Sequence, residues 1–148
     1  TTSTLYRSLV IKQKLAVSAG AFYDGDNRGP STFGFYASPR PGVGIEKLEA
    51  ALDKEIAKLL DKGIDAKNVA RAINTMQSEA IYARDSIGGG ARVIGSALAA
   101  GHTIADVEEW PERISAVTKE QIDAAAKAIL QIKNSVTGLL LNKKKKGS

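Results

Sequence analysis

The sequence predicts an α+β fold, with helices packed on an antiparallel sheet. Two period-two segments, residues 15–21 and 32–38, flank a turn-rich stretch, which is the pattern of a hairpin. A longer series of 3.6-period segments follows between residues 45 and 130, each bounded by glycine, proline or a polar cap. A β-prone run, Val136 to Leu141, reads as a closing strand.

The first element is a short helix carrying Leu5 and Leu9, with Ser3 or Thr4 as its cap, and it feeds directly into a strand. In that strand Leu15, Val17, Ala19 and Ala21 alternate with Ala16, Ser18 and Gly20, so the first set is expected on the buried face. Asp24 to Pro30 has turn chemistry throughout, and the second strand, Thr32 to Ser38, puts Phe33, Phe35 and Ala37 on one face. Pro39 and Pro41 end it. The next helix, Ile45 to Leu60, aligns Ile45, Leu48, Leu52, Ile56 and Leu59, with Glu46, Lys47, Glu49, Lys54, Glu55 and Lys58 opposite.

Gly63 stops this helix, and Asp65 caps a second one that runs to about Arg84 with Val69, Ile73, Met76 and Ala80 inward. Gly88, Gly89 and Gly90 interrupt, and Ala91, Ile94 and Leu98 continue helically to Gly101. Thr103 with Asp106 and Thr118 with Gln121 form two capping-box patterns. The first opens a short helix with Val107 and Trp110 inward, the second a helix with Ile122, Ala126 and Ile129 inward.

The 148 residues, 43% hydrophobic and 25% charged, suit one globular domain, residues 1–142, followed by a basic tail, residues 143–148. Most of the net charge of +5 belongs to that tail. Without Lys143, Lys144, Lys145 and Lys146, 17 basic residues face 16 acidic ones, so no nucleic acid is expected as a partner. No apolar run has the length of a membrane span. With no cysteine, disulfides, thiolate metal sites and cysteine nucleophiles are excluded.

His102 is the single histidine, so neither H-E-x-x-H nor the inverted H-x-x-E-H zinc helix can be assembled, and a histidine beside Gly101 reads as a structural residue at a helix junction. The run from Asp24 to Phe35 begins like a calcium loop but places Arg28 and Phe35 where ligands belong. Gly88 and Gly90 lack the third glycine of a dinucleotide fingerprint, and Ser96 stands where a P-loop has lysine. The carboxylates of Glu49 and Asp53 lie on a solvated helix face. These residues describe a non-catalytic domain.

Leu5-Tyr6-Arg7-Ser8-Leu9-Val10 followed by Lys14-Leu15-Ala16-Val17-Ser18-Ala19 resembles a stretch of the pitrilysin/insulinase family of zinc metallopeptidases, which includes the mitochondrial processing peptidase. There a helix reading L-(F/Y)-x-x-L-R leads into a strand reading G-L-A-Y-S. The similarity continues through Phe33 to Pro41, Ile45 to Leu60, Gly63 to Ser86 and Asp106 to Thr118. It implies a processing-peptidase-like metallohydrolase half whose opening strands precede Thr1. In such proteins two homologous halves enclose an extended peptide, and one of them carries the zinc.

This chain resembles the metal-free half. The resemblance implies no cofactor in this chain, zinc in a homologous partner half, and a peptide as substrate. Active relatives often carry an Arg and, seven residues on, a Tyr in this half, which help hold the substrate and the tetrahedral intermediate. The matching substrate-binding positions are Val10 and Val17, neither of which donates a hydrogen bond. Arg7 and Tyr6 are the alternative donors nearby. The expected function is a non-catalytic peptidase half. The alternatives are a structural or assembly subunit of the same family and a nucleic-acid module working through the lysine tail. A bacterial periplasmic or envelope location is the expected compartment.

Overall fold

A hydroxyl begins the first element. In the computed structural model, which describes residues 3–25, 27–85 and 88–141, Ser3 Oγ accepts from the Tyr6 N–H at 3.3 Å and the Ser3 carbonyl accepts from Arg7 at 3.0 Å. The helix widens at once into a π-helix, Tyr6–Lys12, closed by Gln13 N–H donating to the Ser8 carbonyl at 2.9 Å. Leu9 and Val10 on its inner side are buried.

The chain then reverses through Lys14, a non-glycine residue at φ 53°, into β1, Ala16–Asp24, which pairs antiparallel with β2, Thr32–Pro39. The ladder runs from Asp24 opposite Thr32 to Ser18 opposite Ser38. It is irregular at its far end, where Ala16 pairs with Pro39 and Val17 is the extra residue of a β-bulge. The bulge corrects the predicted alternation. Ala16 and Ala19 are buried and Val17 points out, because one inserted residue moves a side chain to the opposite face.

On the inward face Ala19 and Ala37 pack against the core, and Phe33 meets Phe35 edge-on with ring centroids 5.2 Å apart. On the outward face Tyr36 lies over Gly20 and Phe22 over Gly34, so closely that a Cβ at either glycine would collide with the ring. The core proper is Leu9, Val10, Ala16, Ala19 and Leu48, with Leu5, Tyr6, Leu15, Ala51 and Leu52 around it.

Leu48 comes from α1, Ile45–Lys62, laid against the π-helix and β2. Gly63 ends α1 at φ 72°, and α2, Ala66–Asp85, starts after Asp65, whose carboxylate accepts from the Lys67 N–H at 2.7 Å. Next come α3, Gly89–Ala100, α4, Ile104–Glu108, α5, Trp110–Ser115, and α6, Lys119–Ile129, then a 3₁₀ turn, Ile132–Asn134. Both capping boxes form. Thr103 Oγ1 accepts from Asp106 N–H at 3.1 Å while the Asp106 carboxylate accepts from the Thr103 N–H, and Thr118 and Gln121 do the same. The Thr103 N–H and hydroxyl, which both donate to the Asp106 carboxylate, together with Arg113 at 2.8 Å, lower the pKa of that carboxyl to about 2.

The single helix expected over Val107 and Trp110 is broken at Glu109. Pro111, in the first turn of α5, has no N–H with which to continue the helix from α4. Ile129, expected inward, is exposed at the end of α6. Among the described residues the sheet has two strands, and residues 136–141 form no strand. They have the right composition, but among the described residues they pair with no strand edge. Asp26 in the hairpin loop and the lysine tail lie outside the described residues.

The end of α1 is tied to α6. Asp123 accepts from the Ile64 N–H at 2.9 Å and from Lys119, and these two donors hold its carboxyl below the usual range, Lys119 contributing more. A Cβ on Gly63 would sit 2.7 Å from Asp123 Oδ2, at a φ that side chains avoid. Gly63→Ala is therefore expected to lower unfolding free energy by about 1–3 kcal/mol in urea titration. Gly42→Ala, at φ 84° but facing open space, should stay at the low end of that range.

Candidate functional site

The two positions singled out from the sequence, Val10 and Val17, sit at either end of the reversal between the π-helix and β1. The structure does not place them on one surface. Val10 is 5% exposed within the core, whereas Val17 is 53% exposed on the bulge. Tyr6 packs against the core and Arg7 is exposed on the π-helix. No side chain of the Val10 and Val17 pair can donate to an oxyanion.

What fixes the spacing of the two segments is Arg40, which the sequence did not single out. Its guanidinium donates from Nε to the Ala16 carbonyl at 3.1 Å and from Nη2 to the Val10 carbonyl at 3.4 Å. Its backbone N–H donates to the Leu15 carbonyl at 2.9 Å. The Leu15 N–H in turn donates to the Leu9 carbonyl at 2.9 Å. A planar, permanently charged fork suits this task because it can hold two carbonyls that point from different elements. The one sequence signal was an arginine between Pro39 and Pro41, where the chain must leave the sheet.

The outward face of the hairpin carries the exposed rings of Phe22 and Tyr36 beside Val17, Ser18 and Ser38. Both outer edges of the hairpin are unpaired among the described residues. Elsewhere, an apolar cleft of about 240 Å³ opens between α2, α5 and α6, lined by Ile73, Met76, Ile114 and Ile122. A shallow concavity of about 690 Å³ follows the other side of α2, past Lys67, Arg71, Asn74 and Tyr82. The hydroxyls of Thr75 and Ser78 in that concavity donate to carbonyls one turn back, at 3.0 and 2.9 Å, so they form no acid–base pair. His102 lies exposed just beyond α3, its N–H donating to the Ala97 carbonyl at 2.9 Å. Among the described residues no group of three or more His, Asp or Glu side chains could hold a metal ion.

A capped helix leading into a hairpin, then a series of helices, defines an α+β domain. The sequence profile of the peptidase M16 inactive domain matches residues 1–76, just over half of the chain, and the chain belongs to the M16 peptidase family, that of pitrilysin and insulinase. No curated protein matches the sequence. The matched residues contain the π-helix, the hairpin, Arg40, α1 and the start of α2.

The burial of the two valines predicts opposite responses to donor side chains. Val17→Tyr should change stability by no more than about 0.5 kcal/mol, since the residue faces solvent. Val10→Arg should cost about 3–5 kcal/mol by leaving an unpaired charge in the core. Arg40→Ala should cost about 1.5–3 kcal/mol by orphaning two carbonyls, all measured by chemical denaturation.

Proposed function

We propose that this chain is the non-catalytic half of a zinc metallopeptidase, forming part of a chamber that binds extended peptides for hydrolysis at a zinc site on another half or subunit. The observation that carries this reading is the inactive-domain match over residues 1–76. Its support is chemical as well: one histidine in the sequence leaves no H-x-x-E-H helix to hold a catalytic zinc. The work left to this half is enclosure and shaping. The unpaired hairpin edge offers backbone donors and acceptors to an extended peptide, and Phe22 and Tyr36 give the adjoining face apolar area.

A second reading, a structural or assembly subunit without proteolysis, is favoured by one specific observation. Val10 is a core residue and Val17 an exposed valine, so neither position matched to the family's substrate-facing pair offers a side-chain hydrogen-bond donor. An envelope location belongs to the first reading as part of the proposal.

The test is zinc content together with cleavage of an unstructured peptide, by the purified chain and by its mixture with the zinc-bearing half. The chain alone is expected to bind no stoichiometric zinc and cleave nothing, with activity appearing in the mixture. A mixture that assembles yet stays inactive would support the assembly reading. Chelator-sensitive cleavage by the chain alone would overturn both.

A further inference from the structure

On the outward face of the hairpin two aromatic rings lie down across the sheet. The tip of the Tyr36 ring rests over Gly20 and that of Phe22 over Gly34, each on the opposite strand, where a side chain on the glycine would occupy the ring's place. The covered side of each ring shields glycine backbone. The other side stays in water, with Phe22 51% and Tyr36 52% exposed. Along this face Ser18 stands opposite Ser38, Gly20 opposite Tyr36, Phe22 opposite Gly34 and Asp24 opposite Thr32. Two flat apolar surfaces are thus bordered by a pair of hydroxyls at one end and by a carboxylate and a hydroxyl at the other. The hydroxyls of Ser18, Thr32, Tyr36 and Ser38 and the carboxylate of Asp24 have no hydrogen-bond partner among the described residues.

Shape and charge select the occupant. A ring that lies flat leaves no pocket beside it, so this face does not sort the side chains of a peptide, which strand addition does through pockets at alternate positions. Single-stranded nucleic acid stacks its bases on such rings, but its phosphates need cations alongside, and among the outward residues of the pairing Asp24 alone is charged. A proline-rich segment also presents flat rings, yet proline brings no N–H to a carboxylate. A sugar ring answers both features. Its C–H face meets the negative face of an aromatic ring, and the hydroxyls at its rim donate to a carboxylate and exchange hydrogen bonds with other hydroxyls.

We infer that the outward face of the hairpin binds a neutral glycan chain, with sugar rings stacked on Tyr36 and Phe22 and with Asp24 accepting from sugar hydroxyls at the Phe22 end. Tyr36 and Phe22 are diagonal neighbours across the ladder, so one chain reaches both. The unpaired backbone groups of the hairpin lie in the plane of the sheet and the two rings outside it, so a glycan on the face leaves the edge open. The inference stands whether or not that edge takes a peptide.

Titration of the full 148-residue chain followed by NMR tests it. The probes are a soluble cello-oligosaccharide, whose sugar rings carry their hydroxyls at the rim, a proline oligomer and a short single-stranded DNA. The cello-oligosaccharide is expected to shift the signals of Gly20, Phe22, Gly34 and Tyr36, and the other two probes to leave them in place. Phe22→Leu and Tyr36→Leu, which keep an apolar side chain but no ring face, should each weaken binding by about tenfold. Asp24→Ala should weaken it by about threefold and leave thermal unfolding unchanged, since the residue is exposed at the end of β1, even where loss of a ring lowers stability. No shift with the cello-oligosaccharide, unchanged affinity in the Asp24→Ala variant, binding of the proline oligomer or the DNA at the same residues, or association of two copies through this face would each overturn the inference.

Discussion

Arg40 donates to the carbonyls of Val10 and Ala16 and, through its own N–H, to that of Leu15, so one residue at the exit of β2 holds both sides of the reversal that turns the π-helix into β1. The reversal needs holding. Lys14 occupies the left-handed region, which costs a residue with a side chain about 1 kcal/mol or more. The wide π turn ending at Gln13 is itself an uncommon state. Both are retained because Leu9, Val10 and Ala16, on either side of the turn, are buried together with Leu48 of α1. The sheet, α1 and the turn therefore share one small core.

That constraint also sorts the two positions that the sequence resemblance singled out, Val10 and Val17. The π-helix directs Val10 into the core, and the bulge, by adding one residue to β1, directs Val17 away from it. Membership of the M16 family comes through its inactive domain. The helices beyond α1 add to this scaffold by polar links: Asp123 to Ile64 and Lys119, Arg28 to the Ala99 carbonyl at 3.0 Å, and the two capping boxes. These links are mostly exposed, so their value lies in setting helix ends more than in stabilising the whole.

Much of this was legible because it is local. Ser3, Asp65, Thr103 and Thr118 announce helix starts through short-range hydrogen bonds, Gly63 and Gly101 announce stops, and the hairpin follows from its period and turn residues. The bulge at Val17 was not legible, because an inserted residue changes the face of a strand without changing its composition. Arg40 escaped notice for a related reason: its acceptors are carbonyls 24 and 30 residues away, and backbone acceptors leave no mark in a sequence. Residues 136–141 show the converse. A strand's composition is written locally, but a strand exists only where a neighbouring edge receives it. For the candidate site, the family resemblance pointed to residues 10 and 17, and the fold supplied the fact that one is buried and the other exposed.

Native-state hydrogen exchange measures directly whether the reversal and its small core are the centre of the structure. The amide of Leu15, bonded to the Leu9 carbonyl, and the amide of Arg40, bonded to the Leu15 carbonyl, are predicted to exchange only through global unfolding, together with the inward amides of β1. The amides of α3 to α6 should open at lower free energy, since none of these helices contributes a fully buried residue. If instead α3 to α6 held the slowest amides while Leu15 and Arg40 exchanged locally, the reversal would be a peripheral turn, and this account of the fold would be wrong.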